Sequence, residues 1–303
     1  MPMTAIELPP LSRRFAAHVC ALVAATCLLL AGTFVRSMSV QAQTAPTLKV
    51  MDWNIHHGVD TSGANNLERV AASIVNVNPQ VVSLNEVEKL NGYNNNADEP
   101  AVLESALESR TGSAWYACFA QRIGAATGQG NLVLSRIRIE SCQTQLLSAS
   151  RSVARAVLTV NNVIVTVFST HLDDASSSTR TAQVTQLTTW AATAPEQRLL
   201  MGDFNASAGA TELAQLRAGW DDAWAVAAAG GIAASYPGNA EGNTRNSRID
   251  YIWRSKGAAA LALQSAQVYD TGTISDHRPV SATYAVTTPL TLPNAPVLRV
   301  VVR

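Results

Sequence analysis

Lysine is nearly missing: only Lys49, Lys89 and Lys256 occur in 303 residues, and the formal net charge is zero. Residues 1–42 carry Arg13, Arg14 and Arg36 against Glu7 alone, so the rest of the chain is slightly acidic. A protein that grips long duplex DNA nonspecifically carries a basic footprint, and this composition argues against that partner. Cysteine is also scarce. Beyond Cys20 and Cys27 only Cys118 and Cys142 remain, too few for a tetrahedral zinc cage. No aromatic-rich hairpin suggests lipid docking. No repeat, low-complexity stretch or linker divides the chain.

What is present begins with a targeting pattern. Arg13-Arg14 precede an apolar run from Phe15 to Val35, and Val40-Gln41-Ala42 offers a small-residue cleavage site. Residues 1–42 are therefore expected to be a signal peptide, with a secreted or periplasmic mature protein. The run is also long enough to span a bilayer, so an uncleaved anchor is the competing reading. Residues 43–286 follow as a single domain of ordinary α/β size. Residues 287–303 form a proline-containing tail. In an exported protein Cys118 and Cys142 predict one disulfide, against two unpaired buried thiols.

Strand-like runs fall at 48–55, 80–87, 115–120, 131–135, 153–160, 163–170, 198–204, 249–253 and 279–286. Leu67, Val70, Ala71, Ile74 and Val75 keep helical spacing. Further helices are expected over 99–110, from Ser176-Ser177-Ser178 towards Pro195, and from near Ala210. Asn161-Asn162 between two strands is a hairpin signal. Helical crossovers mixed with hairpins imply mixed sheets.

Polar groups gather at the ends of these apolar strands. Trp53-Asn54-Ile55-His56-His57, Leu84-Asn85-Glu86, Ser169-Thr170-His171, Gly202-Asp203-Phe204-Asn205, Arg248-Ile249-Asp250-Tyr251 and Ser275-Asp276-His277-Arg278-Pro279 all share this arrangement. Each taken alone reads as a turn, a satisfied carboxylate or a core histidine. Together they point to one polar site, because strand ends are where α/β proteins place ligands. Alternation along a strand puts Asp203 and Asn205 on one face, with Phe204 opposite.

This ordered set resembles the endonuclease/exonuclease/phosphatase superfamily, which includes deoxyribonuclease I, abasic-site endonucleases, inositol-polyphosphate 5-phosphatases and bacterial sphingomyelinases. The resemblance spans roughly residues 48–286. It departs at Asn85, where the family commonly has Gln, and at His56, where some members have Asp. It implies an α/β (α+β) four-layer sandwich, with two mixed β-sheets packed face to face and helices outside. The implied activity is metal-dependent phosphoester hydrolysis by a monomer without a stable protein partner.

Glu86 and Asp276 are hard oxygen donors suited to Mg²⁺, with Mn²⁺ as an alternative, and the resemblance adds Asn54 to the metal end. His56 is either a metal-lining group or a hydrogen-bond donor to phosphate. Asp203 is expected to orient or deprotonate the attacking water, and Asn205 to hold that water or a phosphate oxygen. Asp250 with His277 resembles the family's acid–imidazole unit, and His171 is a second donor to phosphate or leaving oxygen. Asn131 is expected to bring backbone close to substrate. Arg155, which shares a strand face with Arg151, is expected to contact phosphate unless it is an ordinary solvated arginine. The substrate is expected to be a phospholipid or other small phosphodiester, a phosphomonoester or a nucleic acid; a non-catalytic binding module is the rival class.

Overall fold

A computed structural model describes residues 46–288, so the leader and most of the C-terminal tail lie outside the described residues. The elements run β1 (Thr47–Asn54), α1 (Leu67–Val77), β2 (Val81–Val87), α2 (Glu99–Thr111), β3 (Tyr116–Gln121), β4 (Gly130–Ser135) and β5 (Ser141–Leu147). They continue with β6 (Arg151–Val160), β7 (Val163–His171), α3 (Ser177–Ala191), β8 (Arg198–Asp203), α4 (Ala214–Gly219), β9 (Trp220–Asp222) and α5 (Ala223–Ala229). The last are β10 (Ala233–Ala234), β11 (Asp250–Ser255), β12 (Leu261–Val268) and β13 (Val280–Val286).

The strands form two mixed sheets, one of seven in the order β10-β12-β13-β1-β2-β4-β3 and one of six in the order β5-β6-β7-β8-β11-β9. Each contains a parallel pair joined by a helical crossover, β1–α1–β2 in the first and β7–α3–β8 in the second. The other pairings are antiparallel except the short β10–β12 contact. Asn161 and Asn162 both have positive φ, the geometry of the two-residue hairpin turn that their sequence suggested.

Alternation along the strands builds four layers. Leu48, Val50, Leu199 and Met201 face a core between the sheets, shared with Val133, Val165 and Tyr284. Met51, Trp53, Leu84 and Leu132 face outward under α1 and α2, with Val70, Ile74, Leu103 and Leu107. Phe168, Leu200, Phe204 and Trp253 pack under α3 and α4, with Val184, Leu187 and Leu216. Strands buried on both faces read as near-continuous apolar runs, which is why they were visible in the sequence.

The helices begin and end on local signals. The Asp98 carboxylate accepts from Ala101 N at the start of α2, and Ser176 Oγ accepts from Thr179 N at the start of α3. Asn78 and Gly112 close α1 and α2 in left-handed conformations. The helix expected near Ala210 is a single turn at Thr211–Leu213 that runs into α4.

Cys118 and Cys142 form the expected disulfide, with Cα atoms 5.5 Å apart. Cys118 lies on β3 and Cys142 on β5, the edge strands of different sheets, so the bond fastens one sheet to the other. Among the described residues no helix is long and apolar enough to cross a membrane.

Candidate active site

The polar ends of β1, β2, β7 and β8 meet the start of β11 and the loop before β13 at one end of the sandwich. They surround a cleft of about 490 Å³ lined by His56, Glu86, His171, Asp203, Asn205, Asp276 and His277. Arginines 122, 151 and 245 complete the rim with Asp174.

Backbone irregularities aim these groups. The β2–β4 register slips between Leu84 and Val87, and Glu86 within that bulge has φ +56°. A bulge re-aims a side chain that regular alternation would send to the other face, and here it turns Glu86 into the cleft. Gly202 has φ +150°, and a Cβ there would lie 1.9 Å from Thr170 O on β7. Any other residue would force β8 away from β7 and move Asp203 relative to His171, its register partner. Asn205 lies just past the strand in the left-handed region that asparagine tolerates, so it joins Asp203 in the cleft while Phe204 packs outward.

Asp203 is the centre of the arrangement and is 1% exposed. Its Oδ1 accepts from Asn205 N at 2.8 Å, and its Oδ2 accepts from Asn54 Nδ2 at 3.2 Å. The same oxygen stands 3.6 Å from His171 Nε2 and 3.8 Å from His277 Nε2, close for charge interaction but long for hydrogen bonds. Burial, followed by the charge of Asp250, pushes the Asp203 carboxyl up to about 7.

The two histidines are tuned in opposite directions. His277 Nδ1 meets Asp250 Oδ2 at 2.9 Å. Burial alone would lower that imidazole, but the charge and hydrogen bond of Asp250 outweigh it and raise it to about 9. Burial holds His171 well below its ordinary range, and the Arg151 charge adds to the effect. His171 is therefore neutral near pH 7. The Asn205 amide donates to its Nε2 at 3.0 Å, which leaves the ring proton on Nδ1.

The metal-ligand candidates Glu86 and Asp276 line the same cleft. Asn54 Nδ2 donates to Glu86 Oε1 at 2.9 Å, while Asn54 Oδ1 accepts from His56 N at 3.0 Å. Asn54 thus ties Glu86 to Asp203, and its own oxygen is engaged by the backbone. Asp276 Oδ2 pairs with Arg245 at 2.6 Å. The Glu86 and Asp276 carboxylates, both partly open to the cleft, suit a hard divalent cation better than the buried trio Asp203, Asp250 and His277 does. That trio brings three donor atoms within 4.8 Å of one another, but Asp250 Oδ2 and His277 Nδ1 are already engaged with each other at 2.9 Å.

Two expected contacts are not made. Arg155 lies outside the cleft: its guanidinium stacks 4.6 Å from the Trp190 ring centroid and donates to Thr193 Oγ1 at 3.0 Å. The strand face it shares with Arg151 passes beneath α3, and only Arg151, at the strand's start, reaches the rim. Asn131 is buried behind the site, where its Oδ1 accepts from Asn85 Nδ2 at 3.0 Å and its Nδ2 donates to Ser152 O at 2.9 Å. It supports Asn85, whose own Oδ1 accepts from Asp203 N at 3.1 Å.

His57, which the sequence places beside His56 just past the end of β1, is joined by contributors that no motif marks. His57 is pinned between Glu88 Oε1 at 2.5 Å and Glu86 Oε2 at 3.1 Å, with Tyr93 stacked 4.7 Å away. The only hint of Glu88 was its i+2 spacing from Glu86. Arg122 and Arg245 lie in loops with no motif. Asp52, two residues before Asn54, is fully buried in the inter-sheet core, where burial and then the Asp250 charge hold its carboxyl well above the ordinary range.

This fold and cleft place the chain in a known class: it belongs to the Endonuclease/Exonuclease/phosphatase family, whose model matches residues 53–277. No curated protein matches the sequence. Among solved structures, an endonuclease/exonuclease/phosphatase from Beutenbergia cavernae DSM 12333 is 23% identical, with TM-score 0.62 over 79% of this chain and 72% of that one. The mannosyl-6-phosphatase Bt3783 of Bacteroides thetaiotaomicron VPI-5482 is 16% identical, with TM-score 0.61 over 78% of this chain and 98% of that one. A humanized D. rerio TDP2 is 19% identical, with TM-score 0.60 over 78% and 98%. At these identities the likeness is one of fold.

Proposed function

We propose that the chain is an exported, Mg²⁺-dependent hydrolase of phosphoesters. The observation that carries this reading is the Asp203 carboxylate, raised to about 7 and facing His171 Nε2 at 3.6 Å and His277 Nε2 at 3.8 Å. A base poised near neutral pH beside a charged imidazole can take a proton from water while the imidazole meets negative charge on phosphate.

Asp203 accepts the proton of the attacking water, and Asn205, fixed by its N–H bond to Asp203 Oδ1, orients it. His277, kept charged by Asp250, donates from Nε2 to a phosphate oxygen; as the water oxygen bonds to phosphorus the bond to the alcohol oxygen breaks, and that oxygen leaves with a proton from solvent. His171, neutral, contributes shape and its bond to Asn205. Glu86 and Asp276 would hold the ion, with Asn54 fixing the Glu86 carboxylate. When bound, the ion supplies Lewis-acid polarisation of the phosphoryl oxygen and orients the ester for in-line attack.

Export rests on the pattern of residues 1–42, and N-terminal sequencing of protein from the culture medium or periplasm checks it. The hydrolase reading is tested with a panel containing a phosphocholine lipid, bis(p-nitrophenyl) phosphate, a sugar phosphate and single- and double-stranded DNA, with Mg²⁺ or with chelator. The sugar phosphate belongs there because a fold neighbour is a mannosyl-6-phosphatase. Turnover of at least one ester that chelator abolishes is expected. Inactivity on all of them with metal present would favour a binding module.

A further inference from the structure

One wall of the cleft plays no part in the chemistry above. Arg122, in the turn after β3, and Arg151, at the start of β6, both line it. The Arg151 side chain is only 9% exposed and its Nε has no hydrogen-bond partner. Among the described residues its one ion-pair partner is Asp174, at 2.8 Å, whose own side chain is 73% exposed. Arg122 makes no ion pair among the described residues; it donates to Ser150 O at 3.0 Å and to Gln129 Oε1 at 3.1 Å, both uncharged.

A buried guanidinium is costly without full counter-charge, and a solvated carboxylate supplies little of it. The two arginines also act on each other: after burial, and against the pull of Asp174, Arg122 is among the groups that lower Arg151. Both line the same cleft as His171, Asp203 and Asn205, which places this wall against the reacting centre. The cleft therefore holds two guanidinium groups whose only ion-pair partner among the described residues is the solvated Asp174. Its volume, about 490 Å³, lies in the range that accepts a drug-sized ligand and exceeds the needs of a single phosphate.

We propose that Arg122 and Arg151 form an anion subsite that holds a second phosphoryl group of the substrate, next to the one being hydrolysed. The proposal rests on the phosphoester reading above and narrows it to substrates with two neighbouring phosphoryl groups. The planar fork of arginine suits phosphate oxygens, and Arg151, already held in place by its surroundings, loses little freedom on binding. Asp174 competes with the ligand for Arg151.

Calorimetric titration of the mature chain with inorganic phosphate and with pyrophosphate, Mg²⁺ held in excess, tests this without requiring turnover. Pyrophosphate should bind at least ~10-fold more tightly than phosphate, the scale of one added charge-assisted hydrogen bond. Arg122→Gln and Arg151→Gln should each bring the ratio close to one, and Asp174→Asn should widen it by freeing Arg151. If Arg151→Gln fails to fold, Arg151→Lys, which keeps the charge but loses the fork, should still narrow the ratio. Equal wild-type affinity for the two ligands overturns the proposal. So does a parallel loss of both in the arginine variants, since the arginines would then hold the scissile phosphate itself. A thymidine dinucleotide carrying a 5′-phosphate gives the second arm: binding as tight as pyrophosphate assigns the subsite to a nucleic-acid strand, and weak binding assigns it to small bisphosphates. Failure of the turnover panel with the pyrophosphate preference intact would count against hydrolysis and leave the subsite standing.

Discussion

Asp203 and Asp250 are direct register partners across the antiparallel β8–β11 pair. The ladder thus sets two carboxylates side by side in the protein interior, and only Asp250 has an imidazole within hydrogen-bond distance, His277 Nδ1 at 2.9 Å. Asp250, through its charge and hydrogen bond, raises His277, while burial and then the charge of Asp250 push Asp203 towards its protonated form. Two groups of one chemical type acquire opposite tasks from their surroundings alone.

Asp203→Asn keeps the shape of that pair and removes one charge. Turnover on any ester the wild type hydrolyses should fall by at least ~10²-fold, the scale of a positioned base. The fold should gain stability by roughly 1–3 kcal/mol at pH 8, because a buried charge is replaced by an amide. Steady-state kinetics and thermal melting of the same preparation check both. An inactive variant that also melts earlier would mean that Asp203 is chiefly structural.

The pH dependence follows with its signs. Asp203 becomes a base only as pH rises through about 7, and His277 keeps its charge until pH rises through about 9. The kcat/KM profile should therefore climb near 7 and fall near 9. Both groups have folded-state values above their ordinary ones. Their contributions to stability are complete below 3.8 for Asp203 and 6.5 for His277, and are lost as pH rises to about 7 and about 9. Chemical denaturation between pH 6 and pH 9.5 should show declining stability across the range in which activity first rises.

Glu86→Gln should behave as a metal-affinity variant. The amide keeps the size and can still meet Asn54, but it loses the charge that attracts a divalent ion. Activity should be low at limiting Mg²⁺ and partly restored by excess, with the apparent Mg²⁺ constant raised ~10-fold or more. A uniform loss at every Mg²⁺ concentration would place Glu86 outside the metal site.

Reducing the Cys118–Cys142 bond, or replacing both residues with serine, removes a clamp across 24 residues of sequence. A loop of that size corresponds to about 3 kcal/mol of stability. Denaturant titration with and without reductant should show the loss, and thiol counting by mass spectrometry should find no free cysteine in the untreated mature protein.

The sequence was most legible where physical demands coincide with side-chain type. Strands buried on both faces had to be apolar, so β1, β2, β7, β8 and β13 stood out, and their polar ends were conspicuous by contrast. Elements under weaker demands did not stand out. The edge strand β5 reads as Ser-Cys-Gln-Thr-Gln because most of it faces solvent, and β12 is diluted by alanine. The groups Glu86, His171, Asp203, Asp250 and His277 were found because each lies at or next to the end of a strand. Arg122 and Arg245 reach the same cleft from loops, where nothing in the local sequence records the destination. Arg155 misled because period-two alternation gives the face of a strand but not how far along it a site extends.

At the site end, the two sheets are joined by a polar seam. Ser83 Oγ meets Ser169 Oγ at 2.8 Å, Asn85 Nδ2 reaches Thr170 O at 2.8 Å, and Asn131 Nδ2 reaches Ser152 O at 2.9 Å. None of these atoms belongs to the loops that carry Tyr93, Arg122 or Arg245. The spacing of the reacting groups is therefore set largely by strands, and the rim, Arg151 at the start of β6 apart, is set by segments that can lengthen, shorten or change charge independently. Such a division lets new substrates be acquired by redrawing the rim, with no need to rebuild the chemistry beneath it.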